Sequence, residues 1–568
     1  MKKSSDKLGL LGSVGVLVGC CIGSAIFSIS GMTIYYAGPA AILSWIIAGL
    51  IQGTYAIEVA ELSARYPHSG GVYVFPRKTL GKFYGFIAGW GYVIANFIAV
   101  AFSAIYIGRY LSASFPSIAP YSTLFAVGAI VLCAFLNSLK ISDAGRFNGA
   151  LVSVLIITML IFVITSLSHA NFNLSNFTPF FKGSKGKFGF LEALPNAMLG
   201  YGSLVSIAFM VGEVRKPNKN VPLSMIISLV IIMSLYVLMI VGTLGHITSS
   251  FLEENAGMRY IPMFAAVWTS MPQKMWLAKL ISFSALLALL TTILIVQYLT
   301  ALTIRAMSKD GTLPSFLGYS NKNGAPSAGI ICVAFIASLL SLRPSATDLL
   351  VNLASLTSAI TIIVVLVSLL KARKIRPSKD GEYKAPLGNL LSYVIISVIV
   401  ISYIPGIKNG SLNMWLFTVV TYVAGAVIFI VMRRVSKKEE VSLICSVSGV
   451  VVHGKGIGRS VGMPTANVDY KAWPKGLTCG VYSSVVNVNG GEYLAVTNVG
   501  TRPSIDNDKK VLIEAHILNF DSDIYGETIK VDFYKYIRGI QKFASLEEVK
   551  KQVDKDIEYT KEIMKPKE

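Results

Sequence analysis

Long hydrophobic runs fill the first three quarters of the chain, and short polar segments rich in Lys and Arg separate them. A helix of about 20 apolar residues is long enough to cross the hydrocarbon core of a bilayer. By this measure the sequence predicts twelve membrane-spanning helices, and an even number places both termini on one side of the membrane. The approximate cores of these helices are residues 10–36, 39–62, 84–110, 121–139, 147–168, 192–212, 222–247, 278–303, 327–342, 348–370, 388–405 and 412–432.

The pattern changes after a short charged linker at residues 433–443. Beyond it lie short β-rich runs such as GVYSSVVNVN and VLIEAHILNF, which are separated by turns containing Gly, Asn or Asp. Short strands at this spacing are typical of a small barrel or sandwich, and a helical pattern closes the chain. We predict an α-helical membrane domain at residues 1–432 and, at residues 444–568, a small β-barrel domain that ends in an α-helix.

The composition supports a membrane location for the larger domain. Hydrophobic residues make up 53% of the 568 residues and the mean hydropathy is +0.62, which is rare in a soluble globular protein. The net charge is +21, but the residues after Ser442 include 17 basic and 16 acidic side chains, so the basic excess belongs to the membrane domain. Binding of nucleic acid is therefore a poor interpretation of the charge.

The basic residues of the membrane domain are concentrated in one set of loops. Alternate loops, counted from the N-terminus, carry about 25 Lys and Arg residues, and the other set carries 9. Loops rich in Lys and Arg stay in the cytoplasm. We therefore expect a multi-pass protein of the cell membrane with both termini and the C-terminal domain in the cytoplasm, where ATP and Mg²⁺ are accessible.

Glycines and other small residues interrupt two predicted helices, in the stretch GCCIGSAIFSISG of the first and AMLGYGSLVS of the sixth. Such residues weaken a helix at mid-span. These helices hold corresponding positions of a five-plus-five inverted repeat, and paired broken helices indicate a substrate site at the membrane midplane. The alternative is that the glycines only allow close helix packing. The candidate transport-substrate residues are Gly23, Ser24, Ala25, Gly200, Gly202 and Ser203.

Two acidic residues, Glu58 and Glu61, lie near the cytoplasmic end of the second predicted helix, and a third, Glu213, lies at the end of the sixth. Acidic residues in a membrane span are candidates for function. All three can reach water or the basic loops, and a structural ion pair with Arg65 or Arg215 is the interpretation we favour.

Four segments in order resemble those of the amino acid–polyamine–organocation (APC) transporter superfamily: GSAIF, ELSARYPHSGGVYVF, GEVRKPNKNVP and IRAMSKDGTLPSFLG. The resemblance covers about residues 8–432 and implies that backbone amides of the first break hold a substrate carboxylate in members that carry amino acids. Ala25 replaces the last glycine of the family pattern, which would narrow or reshape that cradle. The fifth predicted helix lacks the lysine that proton-coupled members carry. Thr291 and Thr292 could help bind a cation, or could bond only to their own helix.

The stretch HGKGIGRSVGMPTAN, at residues 453–467, resembles the ATP-binding motif of riboflavin kinases (flavokinases). Its residue types suit the ATP binding that the resemblance implies, because glycines let backbone N–H groups approach phosphate oxygens, and a side-chain hydroxyl and amide oxygen can hold Mg²⁺. The resemblance extends over about residues 445–562, through TNVGTRPSI and IEAHILNFDSDIYGETIKVDFYKYIR. The family's usual bacterial partner, an adenylyltransferase domain, is missing, so the expected product is FMN.

This second resemblance implies a role for each matching residue. For ATP, it implies that Thr465 and Asn467 bind Mg²⁺–ATP and that Gly454, Gly458 and Arg459 lie along the phosphates. For riboflavin, it implies that Asn498 and Arg502 lie near the flavin and that Arg538 lies near the flavin or the transferred phosphate. It also implies that Glu514 is the general base for the 5′-hydroxyl of riboflavin. The alternative for Glu514 is a salt-bridged strand carboxylate. We expect His516 to be a packed or surface imidazole.

Together these features predict a bifunctional membrane protein, in which a secondary transporter imports riboflavin and a cytoplasmic kinase converts riboflavin and ATP to FMN and ADP. FMN carries roughly −1.5 to −2 charges at pH 7, as other phosphate monoesters do, and would be trapped inside. The union of the two domains in one chain is the ground for riboflavin as the transported substrate. Two alternatives stay open: an amino acid permease with a tethered kinase, and a transporter gated by a flavin-sensing domain.

Overall fold

The computed structural model describes residues 8–66, 71–139, 144–378, 382–409, 412–438, 443–454, 463–470, 477–501, 511–541 and 546–564. The chain divides into two compact units, Met1–Arg434 and Val435–Glu568.

Helices make up almost all of the described part of the first unit. In chain order the α-helices are α1 (Leu10–Cys21), α2 (Ser24–Ala37), α3 (Ala41–Arg65), α4 (Gly71–Thr79), α5 (Lys82–Ser114), α6 (Ser122–Ser138), α7 (Ala144–Leu167), α8 (Gly189–Met198), α9 (Pro217–Leu244), α10 (Ser249–Glu254), α11 (Pro262–Ser270), α12 (Met275–Lys309), α13 (Ser327–Ser341), α14 (Thr347–Ile375), α15 (Asn389–Asn409) and α16 (Leu412–Lys438). A 3-10 helix over Leu199–Glu213 continues from α8. Each of the twelve predicted apolar segments overlaps one or two of these helices.

Some of the helices of the first unit are long enough to span a membrane. Within the described residues, seven helical stretches are long and apolar enough to cross a membrane, and four shorter apolar stretches of 10–17 residues lie in α1, α7, α13 and α15. The predicted α-helical membrane region is thereby confirmed, while the count of twelve spans and the five-plus-five repeat stay predictions. One short helix has a local cause, since α1 ends at Cys21, just before Gly23.

Helix α5 packs against α4, α6, α12 and α14 and lies at the centre of the first unit. Its glycines allow these close contacts. A Cβ added at Gly89 would lie 2.9 Å from the Met307 sulfur, and one at Gly91 would lie 2.6 Å from the Thr361 hydroxyl. Small residues at such contacts let neighbouring helix backbones approach closely in a membrane.

The described part of the second unit is a closed antiparallel β-barrel followed by a helix, which confirms the predicted barrel. Its elements are β1 (Cys445–Val452), β2 (Ala466–Tyr470), β3 (Gly480–Val488), β4 (Gly491–Thr501), β5 (Val511–Ile517), β6 (Thr528–Arg538) and α17 (Leu546–Ile563). Around the barrel the strands follow the order β1-β2-β5-β4-β3-β6.

Every second side chain along the strands points into the barrel core, and a short turn fixes the pairing register of β3 and β4. Val447, Val486 and Ile513 are among the buried apolar residues of the interior. Asn489 and Gly490 have φ values of 50° and 76°, which suit the two-residue turn that joins β3 to β4. The sequence did not predict β2, because this strand has five residues and begins inside the Pro-Thr-Ala-Asn tetrad.

Candidate functional site

The first helix break leaves backbone groups without partners in their own helices. Because α1 ends at Cys21 and α2 begins at Ser24, the last carbonyls of α1 and the first N–H groups of α2 need other partners. The Ser24 N–H donates to the Thr292 hydroxyl of α12 at 3.1 Å. The Tyr236 hydroxyl of α9 donates to the Cys21 carbonyl at 2.6 Å. The N-terminal end of α2 favours an anionic group.

The second break follows α8, where the chain passes into the 3-10 helix at Leu199. The Gly200 carbonyl lies 3.4 Å from the same Tyr236 hydroxyl. Trp45, Tyr201 and Tyr236 form an aromatic cluster with ring centroids 5.2 to 6.0 Å apart. This cluster therefore contacts both breaks and fixes their positions relative to each other.

A central cavity of about 180 Å³ lies between the two breaks. All six residues predicted to contact the transported substrate line this cavity, namely Gly23, Ser24, Ala25, Gly200, Gly202 and Ser203. The fold thus brings together two segments that are far apart in the sequence.

Other helices add polar side chains to the central cavity that were not among the predicted site residues. These include Gln52 and Tyr55 of α3, Asn96 of α5 and Thr361 of α14. The buried amide nitrogen of Asn96 has no hydrogen-bond partner among the described residues, so a donor is left for a bound solute. In the sequence, these residues could have been found as isolated polar residues within otherwise apolar helices.

The cavity glycines differ in the space around them. A Cβ added at Gly23 would lie 2.5 Å from the Thr292 hydroxyl oxygen, and one at Gly200 would lie 2.8 Å from a ring carbon of Trp45. A Cβ at Gly202 would have nothing within 4 Å. Gly23 and Gly200 are therefore needed for close contact, whereas Gly202 faces open space.

The two threonines considered for a cation site bond to their own helix. The Thr291 hydroxyl donates to the Leu287 carbonyl at 3.0 Å, and the Thr292 hydroxyl donates to the Ala288 carbonyl at 2.8 Å. These contacts match the alternative in which α12 satisfies both hydroxyl groups. Thr292 also accepts the Ser24 N–H, so it joins α12 to the first break.

The acidic residues of α3 take part in a buried ion-pair network. Glu61 accepts hydrogen bonds from Arg65 and from Arg373 of α14, both at 2.6 Å, and from the Ala385 backbone N–H at 3.0 Å. The predicted structural pairing with Arg65 is therefore confirmed for Glu61. Glu58 accepts a hydrogen bond from Ser392 of α15 at 2.6 Å. The network joins α3, α14 and the start of α15.

In the barrel, three predicted site residues lie in one row across adjacent strands. Asn467 of β2 is directly opposite Glu514 of β5, and Glu514 is directly opposite Asn498 of β4. Opposite residues have Cβ atoms about 4.5–5.5 Å apart. The row lies on the outer face of the barrel, because the neighbours Ala466 and Ala515 belong to the core. A carboxylate is thus flanked by two amide side chains.

Gly454, just after β1, and Pro464, just before β2, pack against β2 and β5. A Cβ added at Gly454 would lie 2.8 Å from Cγ and 3.0 Å from Oδ1 of Asn467, so a larger residue would displace that amide. His516 donates from Nδ1 to the Pro464 carbonyl at 2.8 Å, because a carbonyl oxygen can only accept. This hydrogen bond of His516 was not predicted from the sequence. Thr465 lies half-buried between Pro464 and the start of β2.

Arg538, at the end of β6, is held by the C-terminal helix. Its guanidinium group donates to the Asp556 carboxylate at 2.7 and 2.9 Å, and Asp556 is 2% exposed. The strand pairings place Val481 opposite both Asn498 and Arg538, so Arg538 belongs to the same row on the barrel. Three other predicted residues, Gly458, Arg459 and Arg502, lie outside the described residues.

The oxygen donors of the row and of the adjacent Thr465 suit metal-assisted phosphate chemistry. The Asn467 amide oxygen and the Glu514 carboxylate of the row, and the Thr465 hydroxyl just before β2, are hard oxygen donors, which Mg²⁺ prefers together with water and substrate phosphates. The residues present therefore fit a site for Mg²⁺ with ATP. The Glu514 carboxylate can also accept a proton from a hydroxyl group placed beside it.

Comparison with known proteins divides the chain in the same way as the structure. Residues 8–430 match the family described as Amino acid permease, and residues 442–564 match the family described as Riboflavin kinase.

Relatives of the first region are bacterial transporters. The methylthioribose transporter of Bacillus subtilis is 27% identical over 457 residues, which are 76% of this chain and 93% of that protein. The branched-chain amino acid permease BcaP of Bacillus subtilis is 27% identical over 406 residues, which are 68% of this chain and 84% of that protein.

The second region is similar to riboflavin kinases. The RNA-binding riboflavin kinase RibR of Bacillus subtilis is 41% identical over 111 residues, which are 20% of this chain and 47% of that protein. The chain thus spans about half the length of this relative.

Proposed function

Since the chain belongs to the amino acid permease family and ends in a riboflavin kinase domain, we propose that it imports riboflavin and converts it to FMN inside the cell. The kinase activity is supported by the family match and by the relatives of the second region. The location of the kinase site is supported by the row formed by Asn467, Glu514 and Asn498. Import of riboflavin by the permease region is the second part of the proposal.

In the proposed kinase reaction, the Glu514 carboxylate accepts the proton of the riboflavin 5′-hydroxyl while that oxygen forms a bond to the γ-phosphorus of ATP. The bond between this phosphorus and the bridging oxygen of ADP breaks, which yields FMN and ADP. Mg²⁺ supplies charge neutralisation at the phosphates when it is bound. In this proposal Thr465 and Asn467 hold Mg²⁺–ATP.

The remaining assignments complete the proposed kinase site. Gly454, Gly458 and Arg459 lie along the phosphates, and Asn498 and Arg502 contact the flavin. Arg538 acts near the flavin or the transferred phosphate, and its contact with Asp556 fixes its orientation. A larger residue at Gly454 would move Asn467, which ties the phosphate segment to the metal-binding amide.

The proposed permease has twelve spans in a five-plus-five repeat at residues 1–432, and a linker at residues 433–443 connects it to the kinase domain at 444–568. The charge of the loops supports cytoplasmic termini in the cell membrane. Gly23, Ser24, Ala25, Gly200, Gly202 and Ser203 contact the substrate in the central cavity. Because FMN carries roughly −1.5 to −2 charges, phosphorylation would prevent its return through the permease.

A second candidate, an amino acid permease with a tethered kinase, is favoured by the volume of the central cavity. Its 180 Å³ is below the roughly 300–1,000 Å³ typical of pockets for drug-sized ligands such as riboflavin. The name of the relative BcaP also points to a small amino acid substrate. A third candidate, gating by a flavin sensor without turnover, is disfavoured because Thr465, Asn467 and Glu514 are all present.

Uptake in proteoliposomes that contain the full chain tests the proposal. Labelled riboflavin and labelled L-leucine are offered outside, with Mg²⁺–ATP enclosed inside. We expect saturable riboflavin influx followed by FMN formation in the lumen. Saturable influx of leucine without riboflavin influx would establish the tethered-kinase alternative, and riboflavin binding without FMN formation would establish the sensor.

A further inference from the structure

The first unit contains a second cavity of about 380 Å³, separate from the central one. Its walls come from α2, the segment before α8, α8 itself, α14, α15 and α16. We call it the outer cavity and define it by Tyr36, Asn196, Asn352, Ser355, Tyr403 and Asn413. The topology proposed above places it on the extracytoplasmic side, because Lys185 of its lining belongs to the loops with few basic residues.

The charged groups at the outer cavity are already paired with one another. The Lys185 ammonium lies 3.8 Å from the Glu192 carboxylate. The Asp348 carboxylate accepts a hydrogen bond from the Tyr260 hydroxyl at 2.8 Å and lies 3.6 Å from the Arg259 guanidinium. A bound solute would therefore meet mainly neutral hydroxyl and amide groups. This lining suits an uncharged molecule that carries several hydroxyl or amide groups.

One buried side chain of the outer cavity has an unused hydrogen-bond acceptor. Asn196 is 1% exposed, and its Nδ2 donates to Oδ1 of Asn352 at 2.9 Å. The Asn196 Oδ1 has no hydrogen-bond partner among the described residues. Buried polar atoms in folded proteins are nearly always paired. A hydroxyl or N–H group of a solute that reached this oxygen would supply the missing hydrogen bond.

Helix α14 connects the outer cavity to the central one. Asp348, Asn352 and Ser355 line the outer cavity, and Ser358 and Thr361 line the central cavity. At 3.6 residues per turn, these five side chains form a row that winds about halfway around the helix between Asn352 and Thr361. The α8 helix makes the same connection, since Asn196 precedes Gly200 by about one turn. A polar stripe thus leads from one cavity toward the other.

We propose that the outer cavity is an entry site, where the permease binds a neutral, hydroxyl-rich solute before it reaches the central cavity. Its volume falls within the roughly 300–1,000 Å³ of pockets for drug-sized ligands, unlike that of the central cavity. Riboflavin has this chemistry, with an uncharged ring system, an imide N–H and a chain of hydroxyl groups. The choice of riboflavin rests on the import proposed above.

Cysteine labelling in right-side-out membrane vesicles tests the entry site. Asn413→Cys places a thiol at an exposed position of the outer cavity, and a membrane-impermeant thiol reagent reports its accessibility. Gln273→Cys, on the exposed segment before α12, is the matched control away from the cavity. The unaltered chain corrects for its native cysteines. External riboflavin should slow labelling of Asn413→Cys several-fold and leave Gln273→Cys unchanged.

The solutes that protect Asn413→Cys from labelling show which class of molecule the outer cavity binds. FMN should not protect Asn413→Cys, because Lys185 and Arg259 are already paired with Glu192 and Asp348, which leaves the phosphate without a counter-charge among the described residues of the cavity. L-leucine, whose ammonium and carboxylate groups are both charged, should not protect it either. Adding Asn196→Ala should abolish protection by riboflavin while the labelling rate without solute stays the same. Equal protection by FMN or leucine, or no labelling of Asn413→Cys at all, would overturn the proposal.

Riboflavin import by the same vesicles separates this inference from the proposed function. Import without protection would overturn the entry site and leave the proposed function standing. Protection without import would support the entry site and overturn the proposed import. The absence of both would overturn both.

Discussion

At the scale of single residues, the kinase site depends on how three strands are paired. The Glu514 assignment could be made from the sequence, because it rests on a local motif. The row that joins it to Asn467 and Asn498 could not, because pairing between β2, β5 and β4 is a long-range property. The same holds for the hydrogen bond between His516 and the Pro464 carbonyl, because it joins residues that are 52 positions apart.

Glu514→Gln tests the proposed base. The change keeps the size of the side chain and removes its ability to accept a proton, so the kcat for FMN formation by the full chain in detergent should fall about 10²–10⁴-fold. Glu492→Gln is the matched control, since Glu492 is an exposed carboxylate at the start of β4. Retention of more than about half of the kcat in Glu514→Gln would exclude general-base catalysis by this residue.

The two amides beside Glu514 should have different roles. Asn467→Ala removes a proposed Mg²⁺ ligand, so the KM for Mg²⁺–ATP should rise while the Kd for riboflavin measured without nucleotide stays the same. Asn498→Ala should weaken riboflavin binding and leave the KM for Mg²⁺–ATP unchanged. Titrations of both variants with each ligand check this assignment. Equal loss of both affinities in both variants would indicate a disturbed barrel instead of two distinct contacts.

At the scale of elements, the first unit is organised by two broken helices and by one ion-pair network. The positions of the two breaks could be predicted from the glycine-rich stretches, because a glycine weakens the helix at its own position. The Trp45, Tyr201 and Tyr236 cluster that joins the breaks depends on packing between α3, α9 and the 3-10 helix, so no local pattern predicted it. For Glu61, the spacing to Arg65 was readable, whereas Arg373 lies 312 positions away.

Glu61→Ala tests whether the network stabilises the membrane unit. The Glu61 side chain is 2% exposed, and its loss leaves Arg65 and Arg373 without their shared carboxylate. Breaking a buried ion pair by removing one partner costs about 3–5 kcal/mol, so the thermal unfolding midpoint of this unit should fall clearly. Glu253→Ala, at an exposed position of α10, is the control. Equal midpoints for the two variants would show that the network contributes little.

At the scale of the whole molecule, transport and phosphorylation use separate sets of residues. The candidate permease residues belong to the first compact unit, and the candidate kinase residues belong to the second. Effects of distant substitutions without shared partners are usually independent. The two-domain organisation could be predicted because hydrophobic runs and short strands have different periodicities. The cavity volumes could not, because they depend on how side chains from five or more helices pack together.

The time course of labelled riboflavin uptake into intact cells tests the central claim most directly. Glu514→Gln should leave the initial influx intact and lower the later accumulation, because uncharged riboflavin can leave by the path through which it entered. Gly23→Trp should abolish the initial influx, since even a Cβ at this position would lie 2.5 Å from the Thr292 hydroxyl oxygen, while kinase activity in detergent persists. Unchanged riboflavin influx in Gly23→Trp, together with loss of uptake of an amino acid, would contradict import of the vitamin by this chain.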